Sequence, residues 1–270
     1  MKCRLRWLLA MMVWGAASMA RANWEPAFRN ELAALPGGAR FVEREVRQDG
    51  RAVRVQGVFF REKQAKFAVL DNAGGGSLGE AMTASGAIAG TNGAYFHADA
   101  TPVGLMIAGG KKIHGFERAK LLSGVFVVTK GRPRIVRAAK FTASSADTEA
   151  LQCGPFLLEG GGIIPGLNAI RPARRTVVAT DGAGGWALLL FSPVTLADAA
   201  KILAAPQVWP DFRIERALNL DGGSSSALWV ATTPKPFYLR EFATVRNFLA
   251  ILPREAAPHF PSARAQAGPN

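Results

Sequence analysis

The feature that most limits how this chain can fold is the repeated interruption of short apolar runs by glycine-bearing turns between residues 40 and 252. Phe41-Val42-Glu43-Arg44-Glu45-Val46 and Ala52-Val53-Arg54-Val55-Gln56-Gly57-Val58 alternate apolar with polar at period two. Successive side chains of a strand point to opposite faces, so the alternation predicts two half-buried strands. Residues 66–70 read as a third strand, and the Gly74-Gly75-Gly76 turn leads into residues 78–84, which have the composition of a short helix.

Hairpins fill the centre of the chain. Leu105-Met106-Ile107-Ala108 is followed by Gly109-Gly110, residues 125–128 by Lys130-Gly131, and residues 176–179 by Asp181-Gly182-Ala183-Gly184-Gly185. Two to five turn residues between apolar runs is hairpin spacing. After a strand over residues 186–191, Thr195 supplies an N-cap with Asp198 at the third helical position, and Leu196, Ala199, Ala200 and Leu203 share one face. That helix should end near Ala205-Pro206, and strands over 217–220 and 244–252 complete the body. Strands outnumber helices without regular strand-helix alternation, which argues against a doubly wound fold. The expected class is α+β: a single domain built on a mixed, largely antiparallel β-sheet core with a few flanking helices, without internal repeats.

Residues 1–22 read as an export signal, with Lys2, Arg4 and Arg6, an apolar run over residues 7–17 and a small-x-small site at Ala20-Arg21-Ala22. The apolar run is shorter than the roughly 20 residues a bilayer core requires, and Cys3 precedes it rather than following it, so no stable membrane anchor is expected. Residues 23–39 read as an N-terminal lead-in in which Pro26, Pro36 and Gly37-Gly38 break any long element, residues 40–255 as the folded domain, and residues 256–270 as a disordered tail. The expected location is periplasmic or secreted, after cleavage near Ala22. Only Cys153 survives that cleavage, so a packed core rather than disulfides must hold the protein together.

The formal net charge is +13, and +9 once residues 1–22 are removed. A positive surface concentrates anionic partners, among them phosphorylated glycans and lipid head groups. Basic residues are scattered and form no aromatic-basic platform, so nucleic acid is not an expected partner.

Four segments place glycine with polar or charged residues directly after apolar runs, where backbone can approach a ligand closely. They are Thr91-Asn92-Gly93-Ala94-Tyr95-Phe96-His97, Gln152-Cys153-Gly154-Pro155, Arg174-Arg175-Thr176, and residues 219–226, Asn-Leu-Asp-Gly-Gly-Ser-Ser-Ser. In the last, Asn219 and Asp221 fall on the same side of a strand, Gly222-Gly223 permits left-handed backbone and open N–H groups, and Ser224 follows. Asp221 there is either a functional carboxylate or the cap of a strand-turn junction. Arg175 offers a planar fork suited to phosphate, or a solvated surface cation. His97 is of the residue type most used as a general acid or base, and serves equally as a surface turn residue. No Cys-His motif surrounds Cys153, which favours a small buried residue beside the site. The serines form no G-x-S-x-G elbow, and no His/Asp cluster has metal-ligand spacing.

Taken in order, these segments resemble the phosphodiester glycosidase family, whose pattern is an N-G-G-Y/F-F turn, a Gly-Pro segment, an R-T-A-hydrophobic-G strand and an N-L-D-G-G-G-S segment. In this chain they stand as N-G-A-Y-F at 92–96, C-G-P at 153–155, R-T-V-V-A at 175–179 and N-L-D-G-G-S-S at 219–225, across residues 85–252. Ala94, Ala179 and Ser224 replace glycines of the pattern. The resemblance implies hydrolysis of a sugar-1-phosphodiester, the partner being an anionic phosphorylated glycan or sugar phosphodiester. It assigns catalysis to Asp221 and Arg175, and substrate binding to Asn92, Gly93, Tyr95, Gly154, Thr176, Asn219, Gly222, Gly223 and Ser224; His97, outside the matched pattern, joins the catalytic candidates on its own chemistry. It names no certain cofactor and leaves room for a divalent cation. Noncatalytic binding of an anionic glycan and metal-dependent cleavage of non-sugar diesters are the alternatives.

Overall fold

The computed structural model describes residues 23–254. The export signal and the whole of the tail read from the sequence lie outside these residues. Eighteen strands form three sheets, and every strand pairing among the described residues is antiparallel. The sheet core is therefore antiparallel throughout rather than mixed, with two α-helices, Leu78–Ser85 and Leu196–Ala204.

The largest sheet runs in the order Glu25–Ala34, Arg40–Gln48, Arg51–Arg61, Gly185–Val194, Ala173–Thr180, Arg216–Asn219, Phe156–Glu159, Gly162–Ile163. A second sheet holds Lys111–His114, Met106–Ala108, Asp147–Cys153, Gly124–Thr129 and Arg132–Arg137. The third holds Phe237–Leu239, Leu228–Val230, Ala89–Asn92, Asn247–Pro253 and Ala65–Asp71.

Local chemistry accounts for several boundaries. Asp49 and Gly50 both take positive φ between the second and third strands, the conformation a two-residue hairpin turn needs. Lys130-Gly131 does the same between Gly124–Thr129 and Arg132–Arg137. A capping box between Ser77 and Glu80 starts the first helix and left-handed Gly86 stops it. Thr195 accepts from the Asp198 N–H at the head of the second.

One expectation fails at the N-terminal lead-in. Residues 25–34, read as too broken for a long element, form a ten-residue strand paired with Arg40–Gln48. Pro26 is tolerated because this strand is the edge of the sheet, where a missing N–H costs no ladder bond.

The central core lies where the three sheets meet. Phe67 of the third sheet has its ring centroid 5.1 Å from Phe60 and 5.2 Å from Trp186 of the first, and 4.7 Å from Phe126 of the second. Helix Leu196–Ala204 covers the other face of the large sheet, burying Ala199, Ala200 and Leu203 beside Val177, Leu189 and Trp209. Helix Leu78–Ser85 packs Leu78 and Met82 against Phe248 and Trp229 of the third sheet. Two strand ends, Asn92 in the third sheet and Asn219 in the first, are thereby held next to each other.

Candidate active site

The Asn92 side chain ties three segments together. Its Nδ2 donates to the Asp221 carbonyl at 2.8 Å, and its Oδ1 accepts from Thr176 Oγ1 at 2.7 Å and from the Ala227 N–H at 3.1 Å. The Asp221 N–H returns a bond to the Gly93 carbonyl at 3.0 Å. Asn92 and Thr176 are fully buried, so leaving these groups unpaired would be expensive and the arrangement is firmly specified.

Gly93 has to be glycine: a Cβ there would come within 2.0 Å of Asn247 Oδ1. Asn247 is the residue that sequence reasoning missed. Its Oδ1 accepts from the Ala94 N–H at 2.7 Å and its carbonyl from the Gly93 N–H at 2.8 Å, which fixes the turn that carries Tyr95. Nothing in the local pattern around Asn247 distinguishes it from a strand residue of the closing element. Ala94, standing where the family pattern has glycine, buries its methyl in the central core.

Tyr95 and Asn219 meet at the Gly154 carbonyl. The Tyr95 hydroxyl donates to it, and Asn219 Nδ2 donates to it at 2.9 Å and to the Tyr95 hydroxyl at 3.2 Å. A Cβ at Gly154 would lie 2.2 Å from the Leu121 carbonyl, so only glycine lets the 121–123 loop pack at this point. Burial, the neighbouring Cys153 and Asp221 all push the Tyr95 phenol upward, leaving it a neutral donor. Burial likewise raises the Cys153 thiol, with Asp221 adding to the effect, so Cys153 is an inert buried residue beside the site rather than a thiolate nucleophile. Asn219 Oδ1, although buried, has no hydrogen-bond partner among the described residues, and neither has the Ser226 hydroxyl.

Asp221 follows the strand Arg216–Asn219. Its Oδ1 accepts from the Gly222 N–H at 2.8 Å, and Ser225 also bonds the carboxylate. Burial outweighs these bonds and raises the carboxyl above its ordinary value. No Arg, Lys or His forms an ion pair with Asp221 among the described residues.

The Gly222-Gly223 pair differs from expectation in a specific way. Only Gly223 is left-handed, with φ 64°, whereas Gly222 is extended at φ −123°. Gly222 is needed because a Cβ would sit 3.0 Å from the Arg174 carbonyl, and its N–H serves Asp221 rather than standing open to a ligand. Ser224 is exposed and accepts through its carbonyl from the Phe242 N–H.

Arg175 lies alongside: a Cβ on Gly222 would be 3.6 Å from its Nη1. Its Nε donates to the Val194 carbonyl at 3.1 Å and its Nη2 to the Arg171 carbonyl at 2.8 Å, and no carboxylate pairs with it among the described residues. Burial lowers its pKa, though a guanidinium stays charged at any working pH. Arg174, the other member of the pair, is a structural residue that donates to the Ser226 and Arg240 carbonyls.

His97 stands apart from this cluster. It is exposed, in a turn where its N–H donates to the Thr101 carbonyl at 2.8 Å. No group of three or more His, Cys, Asp or Glu side chains is placed to hold a metal ion among the described residues.

The model of the phosphodiester glycosidase family matches residues 85–252, more than half of the chain and all four glycine-bearing segments. The chain belongs to the phosphodiester glycosidase family. Among solved structures it resembles the zebrafish N-acetylglucosamine-1-phosphodiester alpha-N-acetylglucosaminidase catalytic domain, auto-inhibited by its pro-peptide, with a TM-score of 0.61 and 17% identity over 84% of this chain and 88% of that one. A hypothetical protein from Synechocystis gives a TM-score of 0.56 at 16% identity, over 80% of this chain and 62% of that one. At such identities the likeness shows the fold alone. No curated protein sequence matches this chain.

For a phosphodiester glycosidase family member, the arrangement offers one part-buried, weakly acidic carboxyl, a guanidinium beside the next residue with no carboxylate partner among the described residues, and amide and hydroxyl groups around them. Such a site can move one proton, hold one anion and orient a polyhydroxylated ligand.

Proposed function

We propose that the protein hydrolyses a sugar-1-phosphodiester, breaking the bond between the anomeric carbon and a phosphate oxygen in an envelope or extracellular glycan or glycolipid. The observation that carries this reading is the placement of Arg175, which pairs with no carboxylate among the described residues, beside Gly222, the residue that follows Asp221 and donates to its carboxylate. A catalytic base works best when its pKa approaches the working pH, and burial moves Asp221 in that direction.

In the proposed step water attacks the anomeric carbon and gives its proton to Asp221. The carbon-oxygen bond breaks with its electron pair passing to the phosphate oxygen, releasing a reducing sugar and a phosphomonoester. A phosphate leaves as a stable anion, so the leaving group requires charge stabilisation from Arg175 more than protonation by a second carboxyl. The Arg175 fork takes the phosphate, and Asn219 Oδ1, the buried acceptor without a partner among the described residues, takes a sugar hydroxyl or the attacking water. Asn92, Gly93, Thr176, Tyr95 and Gly154 position these groups, and Gly222 orients Asp221 through its N–H. His97, at the exposed edge, would act only on the distal part of a substrate.

The test is incubation of the purified protein with a panel of sugar-1-phosphodiesters, following free reducing sugar with and without chelator. Chelator-insensitive release by wild type, lost in Asp221→Asn and Arg175→Ala variants that remain folded, supports the assignment. Binding without release would mark a noncatalytic glycan binder, and turnover in both variants at the wild-type rate would refute the roles of Asp221 and Arg175. Action in the cell envelope rests on the reading of residues 1–22; N-terminal sequencing of protein recovered from the periplasm should begin at Asn23.

A further inference from the structure

Large apolar side chains left in water are informative when they cluster. The three most exposed among the described residues are Ile170 at 84%, Phe242 at 79% and Leu121 at 53%. The other four, Phe28, Leu32, Ile163 and Leu239, lie between 37% and 45%, and all four sit on strands. Each of the three sits on a segment fastened to the candidate site. The Leu121 carbonyl lies against Gly154, the Arg171 carbonyl beside Ile170 receives Arg175 Nη2, and the Phe242 N–H donates to the Ser224 carbonyl. Single exposed apolar residues require no explanation, but three on segments tied to one site do.

The charge of the same segments narrows the partner. Residues 116–121, 170–175 and 239–242 carry six Arg or Lys and two Glu. Of the two acids, Glu241 is occupied by the Leu78 N–H and the Tyr238 hydroxyl. Four of the six cations, Arg118, Lys120, Arg171 and Arg240, are exposed, and apolar tips among exposed cations are the composition of surfaces that lie on anionic lipid, where the tips enter the acyl boundary and the cations meet the head groups. The 116–121 segment also walls a cavity of about 640 Å³ lined by Phe116, Leu122 and Phe141 together with Arg118 and Lys120, which adds apolar surface beneath basic groups.

We propose that the mouth of the site docks on an anionic lipid surface through Leu121, Ile170 and Phe242, and that the second ester of the substrate's phosphodiester carries a lipid. The docking stands on the exposure of these three side chains, the ties of their segments to the site and the charge of those segments, and the choice of substrate rests on the proposed hydrolase activity.

The experiment co-sediments the full protein with vesicles of phosphatidylcholine alone, or of phosphatidylcholine and phosphatidylglycerol in equal parts, and compares wild type with the combined Leu121→Ser, Ile170→Ser and Phe242→Ser variant. Wild type should bind the anionic vesicles, more weakly as salt rises, and the variant's partitioning should fall by at least about tenfold. Its turnover of a soluble sugar-1-phosphodiester should match wild type. Failure of wild type to bind the anionic vesicles, equal binding by the variant, or self-association through these residues in place of vesicle binding overturns the proposal. The two readings fail separately. Vesicle binding that the variant loses, in a protein that hydrolyses no diester, sinks the hydrolase and the substrate choice but leaves the docking, whereas hydrolysis of soluble diesters without vesicle binding does the reverse.

Discussion

Asn92 and Asn219 both end strands, both are buried, and both reach the same site, yet their side chains are used differently. The Asn92 carboxamide is engaged at both ends, by the Asp221 carbonyl, the Thr176 hydroxyl and the Ala227 N–H. Asn219 directs its donor to the Gly154 and Leu220 carbonyls and the Tyr95 hydroxyl and leaves its acceptor without a partner among the described residues. The contrast extends to their surroundings. Around Asn92 each polar group serves another part of the fold, whereas around Asn219 lie a carboxyl raised by burial and, among the described residues, a guanidinium without a carboxylate and an amide oxygen without a partner. Satisfied groups stabilise the structure and unsatisfied ones are held at a cost, so the second region is where a ligand would recover free energy.

Substitutions should separate the two regions. The largest effect is expected in the Asn219 region: Asp221→Asn should lower hydrolysis by about 10²- to 10⁴-fold, the usual worth of a positioned acid or base. In wild type kcat/KM should fall as pH drops through the Asp221 pKa, with that limb above the ordinary aspartate value of 3.8 and absent from the residual activity of the variant. The stability sign is opposite. Because the folded pKa is raised, the protonated carboxyl favours folding below the unfolded pKa, and this contribution is lost as pH rises through the folded value. Asp221→Asn should thus melt no lower than wild type at neutral pH, the two converging in acid; a marked drop in its melting temperature at neutral pH would make Asp221 structural.

Arg175→Ala should cost about 10²- to 10³-fold in hydrolysis, comparable to losing one donor to a developing anion, and Arg175→Lys should recover only part of it because the fork is lost. The Asn92 region should respond mainly in stability. Asn92→Ala strands the Asp221 carbonyl, the Thr176 hydroxyl and the Ala227 N–H, at about 1–3 kcal/mol for each group left unsatisfied, read by chemical denaturation. If hydrolysis vanished while stability held, the division between the regions would be broken. The smallest effect is expected at exposed His97, where His97→Ala should change hydrolysis by less than about tenfold; a loss approaching the lower bound for an acid-base residue would bring it into the mechanism.

Much of this molecule was legible in the chain. Period-two alternation marked strands Arg40–Gln48 and Arg51–Arg61, a capping threonine marked helix Leu196–Ala204, and glycine-bearing turns marked the hairpins, because each depends on residues close in sequence. The strand Glu25–Ala34 was not legible, since Pro26 is excluded from a central strand but not from an edge, and edge position is a property of the assembled sheet. The extended backbone of Gly222 was hidden for a similar reason: its glycine answers to the Arg174 carbonyl, far away in sequence.

By itself the sequence determined which residue types stand at strand ends beside glycines, and hence the family pattern across residues 85–252. Tertiary structure alone decided that Asn247 braces the Tyr95 turn, that Arg174 supports the backbone while Arg175 lies beside Gly222, and that the Asp221 carboxyl is raised. Hydrogen-bond closure and desolvation depend on which groups arrive from distant segments, and only the packing of three sheets around one junction sets that arrangement.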